Sequence, residues 1–181
     1  MSHLPYFKYH TDPLKTGSIE KRETICPVCN EKREYVYVGP FYSRSEVEDI
    51  CPWCIANGKA ADKYDGTFQD HGEVEGITIN PDTHGNEVIE ELIKRTPGYY
   101  GIQQEKWLSH CNEPCNYLGQ VGWKEIREMG IDVEEDIEIE AKKYRLSKEE
   151  FCKRLINKGF MQGYLFQCIH CGKYRLTSDI D

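Results

Sequence analysis

Cys26-Pro27-Val28-Cys29 and Cys51-Pro52-Trp53-Cys54 decide how this chain is to be folded. Each motif puts two thiols on one tight turn, where both can grip a single tetrahedral cation, and two such turns complete a four-thiolate site. Between them, Glu34-Tyr-Val-Tyr-Val38 is rich in β-branched and aromatic residues and stops at Gly39-Pro40, which predicts a strand. Cys51 stands at the head of the helix-compatible run Ile55–Asp62. Helix N-terminal amides there would favour ionised sulfur. Knuckle, strand and a second pair opening a helix is the order of a treble-clef zinc fold.

Two further pairs lie downstream, Cys111-Asn-Glu-Pro-Cys115 and Cys168-Ile-His-Cys171. The last is flanked by the strand candidates Gly163–Gln167 and Lys173–Thr177, with Gly172 free to take the positive φ that a knuckle needs, and so reads as a zinc ribbon. Two structural zinc sites are expected: Cys26, Cys29, Cys51 and Cys54, then Cys111, Cys115, Cys168 and Cys171. The three-residue spacer of the third pair is less common, and His110 or His170, each next to a cysteine, is the alternative ligand. The ninth cysteine, Cys152, has apolar helix neighbours Phe151, Leu155 and Ile156 and reads as a buried thiol. Cys51-Pro-Trp-Cys54 as a redox pair is the lesser reading, because a partner pair exists and no βαβ pattern surrounds it.

The fold class expected is α+β, with treble-clef and ribbon elements and several short helices. Residues 1–80 would form an N-terminal zinc-binding half, and 81–181 a helical half closed by the ribbon. Pro5 and Pro13 keep the first 23 residues extended. Capping boxes at Ser43–Glu46 and Ser147–Glu150 predict helices from Arg44 and from Lys148. Glu87–Arg95 is amphipathic, with Val88, Ile89, Leu92 and Ile93 inward. Ile77-Thr-Ile79 reads as a short strand and Gln103–Leu108 as a helix. Residues 124–145 read as helix broken near Gly130, with Val133, Ile137, Ala141 and Tyr144 on one stripe and Ile139 off it.

The formal net charge of −8 argues against a generic nucleic-acid or anionic-membrane binder, with a zinc-ribbon nucleic-acid regulator as the alternative reading. Two four-thiolate zinc sites would carry it to about −12. Lys142-Lys143, Arg145, Lys148, Lys153 and Arg154 form the one dense basic stretch that a nucleic-acid reading could use. No stretch reaches the roughly 20 apolar residues of a membrane span, and the N-terminus lacks a secretory pattern, so a cytoplasmic location is expected. Saturated thiolate sites leave no coordination position for a catalytic water, so no enzyme is expected. Asp70, His71, Asp82, His84 and His110 read as polar loop residues, since no nucleophile accompanies them. The run Asp132–Glu140 carries six acids and no base. Asp132, Glu134, Glu135, Asp136 and Glu138 are the candidate contacts for a basic protein partner, against the reading of a solvated helix face. Trp107, Tyr99 and Tyr100 are core aromatics or contact anchors.

Gly39-Pro-Phe-Tyr42, Cys51-Pro-Trp-Cys-Ile-Ala56, Asp65-Gly-Thr-Phe-Gln-Asp70, Thr96-Pro-Gly-Tyr99, Gln103-Gln-Glu-Lys-Trp-Leu108 and Gly122-Trp123 span nearly the whole chain. With them the sequence resembles the CbrC family, a small bacterial group linked to tolerance of nuclease colicins. The resemblance implies a non-catalytic protein that neutralises a nuclease-type toxin by binding it. It carries no catalytic residues to this chain.

Overall fold

A computed structural model of the chain describes residues 3–76 and 85–181. Among the described residues the fold is α+β, built on three small antiparallel sheets and several short helices. The first sheet is a hairpin of β1 (Ile19–Ile25) and β2 (Lys32–Tyr37), whose turn is the first cysteine knuckle. The predicted strand therefore starts two residues early, and its partner comes from the stretch read only as extended. Helices α1 (Pro52–Ala56) and α2 (Lys59–Tyr64) follow. Gly58, at φ 76°, breaks what the sequence suggested as one helix.

No helix starts at Arg44. Ser43 Oγ donates to the Ser45 carbonyl at 2.5 Å, and the segment is tied to the hairpin by Tyr37 N–H to Ile50 O at 2.9 Å and by Thr24 Oγ1 to Asp49 at 2.7 Å. Those long-range bonds outweigh a single local capping signal, worth about 1 kcal/mol. The strand expected at Ile77–Ile79 lies outside the described residues.

Helix α3 (Gly85–Arg95) buries Ile89, Leu92 and Ile93 as its periodicity requires. Residues 103–108 are not helical. Asp179 captures the amides of Ile102 and Gln103 at 3.0 and 3.1 Å, and Trp107 pairs in parallel with Val74. Strands β3 (Ser109–His110) and β4 (Glu113–Pro114) make a minimal hairpin. β5 (Asn116–Val121), β6 (Met161–Gln167) and β7 (Tyr174–Ile180) form the largest sheet.

Between β5 and β6 run α4 (Trp123–Met129), α5 (Glu134–Lys143) and α6 (Lys148–Arg154). Gly130 ends α4 at φ 62°, and Ser147 and Glu150 form the expected capping box. Val133, Ile137 and Ala141 are buried while Ile139 stays exposed, so the helical stripe is the one read from the sequence.

Among the described residues, three apolar clusters hold these pieces. One surrounds the first cysteine set with Phe7, Ile19, Ile50, Ile55 and Phe68. Another lies under α4–α6, with Ile137, Phe151, Leu165 and Leu176. The central cluster is aromatic: Tyr9, Tyr99, Trp107, Tyr117, Tyr164 and Phe166, with Tyr99 and Tyr117 stacked at 4.2 Å. Tyr9 enters it from the N-terminal segment, and its carbonyl accepts from Tyr117 N–H at 2.8 Å. Residues from both sides of position 80 thus share one core. Full burial of each large side chain contributes about 1.5–3 kcal/mol.

Candidate metal centres

The two knuckles share one hydrogen-bond pattern. In the first, Cys26 N–H donates to Glu31 O at 3.0 Å and Asn30 N–H to Cys26 O at 2.8 Å. In the last, Cys168 N–H donates to Lys173 O at 2.8 Å and Gly172 N–H to Cys168 O at 3.0 Å. Asn30 (φ 58°) and Gly172 (φ 74°) occupy the same left-handed position, which only glycine and asparagine take readily. Each turn aims both thiols to the same side.

The first centre joins Cys26 and Cys29 to Cys51, which precedes α1, and Cys54 in its first turn; Pro52 opens the helix without wasting an amide. All four sulfurs lie within 4.8 Å of one another, Cys29 and Cys51 at 4.0 Å. A tetrahedron with metal–sulfur bonds of about 2.3 Å has edges of about 3.8 Å, so the group fits one ion. Three of the four cysteines are buried. Cys51 N–H points at Cys26 Sγ at 3.3 Å. The Cys51 thiol, helped by backbone amides and opposed by burial, pulls Cys26 down to about 4, while burial pushes Cys54 up to about 12. A bound dication would take the place of thiol protons at this centre. The Arg33 guanidinium sits over the Trp53 ring at 5.0 Å, and its charge is held above all by Cys29. Lys63 fixes the knuckle by donating to Pro27 O at 2.6 Å.

The second centre differs from the expected set by one member: the convergent group is His110, Cys111, Cys168 and Cys171. His110 Nδ1 lies 3.2 Å from Cys111 Sγ and 3.3 Å from Cys171 Sγ, and those sulfurs are 3.9 Å apart. Cys115 stands outside it. The reason is the hairpin. Cys111 and Asn112, at φ 54° and 58°, form a two-residue turn of the I′ kind, so the chain doubles back at Cys111. Cys115 then lies opposite Leu108, about 7 Å down the hairpin from His110. There it is buried in the aromatic cluster, its carbonyl accepts Trp107 Nε1 at 2.9 Å, and burial pushes its thiol up to about 12. His170, the other alternative ligand, is held by Glu113, which also accepts from Lys8 and from Tyr9 at 2.7 Å. Burial resists ionisation of Glu113, but these donors outweigh it and keep the carboxyl below its ordinary range. With three thiolates and a neutral imidazole the second centre would carry −1, and the loaded chain about −11.

The hairpin is positioned by a clamp that the sequence did not announce. Arg175 donates to Ser109 O at 2.6 Å, to Glu75 at 3.1 Å and to Asp136 at 3.0 Å, and Glu75 in turn accepts Ser109 N–H at 3.2 Å. These partners are up to 100 positions apart, so no local pattern marks them.

Asp136, expected on an open docking face, is therefore an interior residue: it also accepts Leu176 N–H at 2.8 Å. Glu140 is buried beside Ser178. Glu134 pairs with Lys148 and Glu135 with Lys173, while Asp132 accepts Glu134 N–H at 3.0 Å. Glu138 is exposed. Lys143 pairs with Glu140, so the basic stretch is partly neutralised by its own acids. Tyr99 and Trp107 are core, whereas Tyr100 is 61% exposed. Asp70 caps a 3-10 turn at Gly72, and His71 is exposed; Asp82 and His84 lie outside the described residues. Cys152 is buried, as expected. No helix among the described residues is long and apolar enough to cross a membrane.

Comparison with known proteins agrees with the extent of this fold. Residues 4–180 match the model of an uncharacterised protein family, UPF0167. A UPF0167 protein of Mycobacterium bovis is 40% identical over 180 residues, covering 97% of this chain and 93% of the relative; one of Mycobacterium tuberculosis matches equally. A UPF0167 protein of Pseudomonas aeruginosa is 36% identical over 178 residues, covering 97% of each. No solved structure matches. Aligned from its first strand to its last, the chain belongs to the UPF0167 family.

Proposed function

We propose that this protein is a non-catalytic binding protein, stapled by two structural zinc ions, that neutralises a basic nuclease-type toxin by occupying its nucleic-acid surface in the bacterial cytoplasm. The observation that carries the non-catalytic part is the donor count. Each centre supplies four ligand atoms, and a tetrahedral zinc so held has no position left for water or substrate. Sulfur-rich donor sets select zinc over hard cations. The partner's chemistry rests on the net charge of −8 and on the resemblance to the CbrC family. Asp136 leaves the set of contact candidates, because it works inside the fold. Asp132 and Glu138 remain, together with Glu134 and Glu135. Their lysine pairs are solvent-exposed, are screened by water and salt, and could be exchanged for a partner's cations.

The test is co-expression with nuclease toxins of the colicin class, alongside pull-down of the inactive toxin. Rescue of growth, reduced by Glu138→Lys and Asp132→Lys, is expected. Undiminished killing and no capture would end the toxin reading, while elemental analysis of the pure protein judges the zinc reading separately.

A further inference from the structure

The two centres are built alike in donor chemistry and unlike in access. At the first, Cys26, Cys51 and Cys54 are buried and Cys29 is half-buried. At the second, Cys111 and Cys171 are both exposed, on separate loops, with their sulfurs 3.9 Å apart. Cys111 sits at the very tip of the β3–β4 hairpin and Cys171 on the knuckle that faces it. Oxidation of thiolates follows ionisation and access. A bound metal would supply the first at both centres; the second centre supplies far more of the other, with two exposed thiols against one half-buried at the first.

We infer that the second centre is an oxidation site, at which hydrogen peroxide joins Cys111 to Cys171 and releases that centre's metal while the first centre keeps its own. This rests on both centres carrying zinc, and is independent of the toxin. An exposed thiolate, written here for Cys111, attacks a peroxide oxygen. The O–O bond breaks, hydroxide leaves and the sulfur becomes a sulfenic acid, oxidised by two electrons as the peroxide is reduced. Cys171 thiolate then attacks that sulfur. The S–S bond forms, the S–O bond breaks, and the second hydroxide leaves. Two protons from solvent complete two waters. The reverse order of attack gives the same bridge. His110 and Cys168 remain as two donors, too few to retain the ion. Closing 3.9 Å to a disulfide of about 2.05 Å asks only the hairpin tip to move, since its turn is two residues long and held from below by Arg175. Cys115, deep in the aromatic cluster, takes no part.

The experiment uses full-length protein loaded with zinc. Total zinc is measured after acid release, then hydrogen peroxide is added in the presence of a chromogenic chelator, and cross-linked peptides are identified by mass spectrometry after alkylation. Two zinc ions per chain are expected at the start. Peroxide should release one of them at least about tenfold faster than the other, with a Cys111–Cys171 cross-link appearing at the same rate. Cys115→Ser should behave as the parent. Release of both ions together, no release, or a dominant cross-link between any other pair overturns the inference, as does loss of the fast phase in Cys115→Ser. A starting content of one or none refutes the two-centre reading itself, and the inference with it.

Discussion

Asp136→Ala separates a surface acid from a structural one. Asp136 and Arg175 side chains are 7% and 15% exposed, so the pair is desolvated. Removing the carboxylate leaves Arg175 with Glu75 as its remaining acidic partner, and leaves Leu176 N–H, in the middle of β7, without its acceptor. Breaking a buried pair costs about 3–5 kcal/mol, and an orphaned amide adds to that. Because Glu75 still offsets part of the arginine's charge, about 3 kcal/mol is expected. In urea, with free zinc buffered and a slope of about 2 kcal/mol/M, the midpoint should fall by about 1.5 M. Exposed Glu138→Ala, one helical half-turn away, should change stability by less than about 0.5 kcal/mol. A second readout follows from the clamp. Arg175 holds Ser109, next to His110, so the second centre's zinc affinity should drop about 10–100-fold while the first centre's is unchanged. Equal effects of the two substitutions, or an Asp136→Ala variant as stable and as zinc-avid as the parent, would show that the acid faces outward after all and that the clamp is fictitious.

His110→Ala should lower the bound zinc from two to one per chain in buffered zinc, whereas Cys115→Ser should keep two; elemental analysis showing the reverse would restore Cys115 to the ligand set. Burial pulls His10 down to about 4, against the hydrogen bond to Pro97 O at 2.7 Å and the nearby charge of Asp12. The folded state thus resists a proton that the unfolded chain accepts at about 6.5, so stability is complete above pH 6.5 and falls by about 3 kcal/mol on the way to pH 4. A His10→Asn variant should show a shallower decline, and an identical pH profile would exclude this residue as the cause. Gly98→Ala would place a Cβ 2.1 Å from the Phe68 carbonyl oxygen, and should lower Tm by about 5 °C or more. Gly72→Ala, whose nearest neighbour would be Asp70 at 3.4 Å, is the matched control and should shift Tm by under about 1 °C.

From its residues alone the chain determined what is local. The two Cys-x-x-Cys knuckles, the β6–β7 ribbon around the last of them, the split helix at Gly130, the capping box at Ser147 and the inward stripe of α5 each depend on a handful of neighbouring residues, and each was legible. Tertiary structure decided everything that needs a distant partner. Asp179 took the amides that would have started a helix at Gln103, and the β1–β2 hairpin took the segment that would have started one at Arg44. The turn at Cys111–Asn112 moved Cys115 into the core and put His110 at the metal centre, a choice that cysteine spacing could not make because spacing does not record where the chain reverses. Asp136 looked like surface beside five other acids. It is interior because Arg175, contributed by the last strand, neutralises it there, and a buried charge persists only where a partner from elsewhere in the fold meets it.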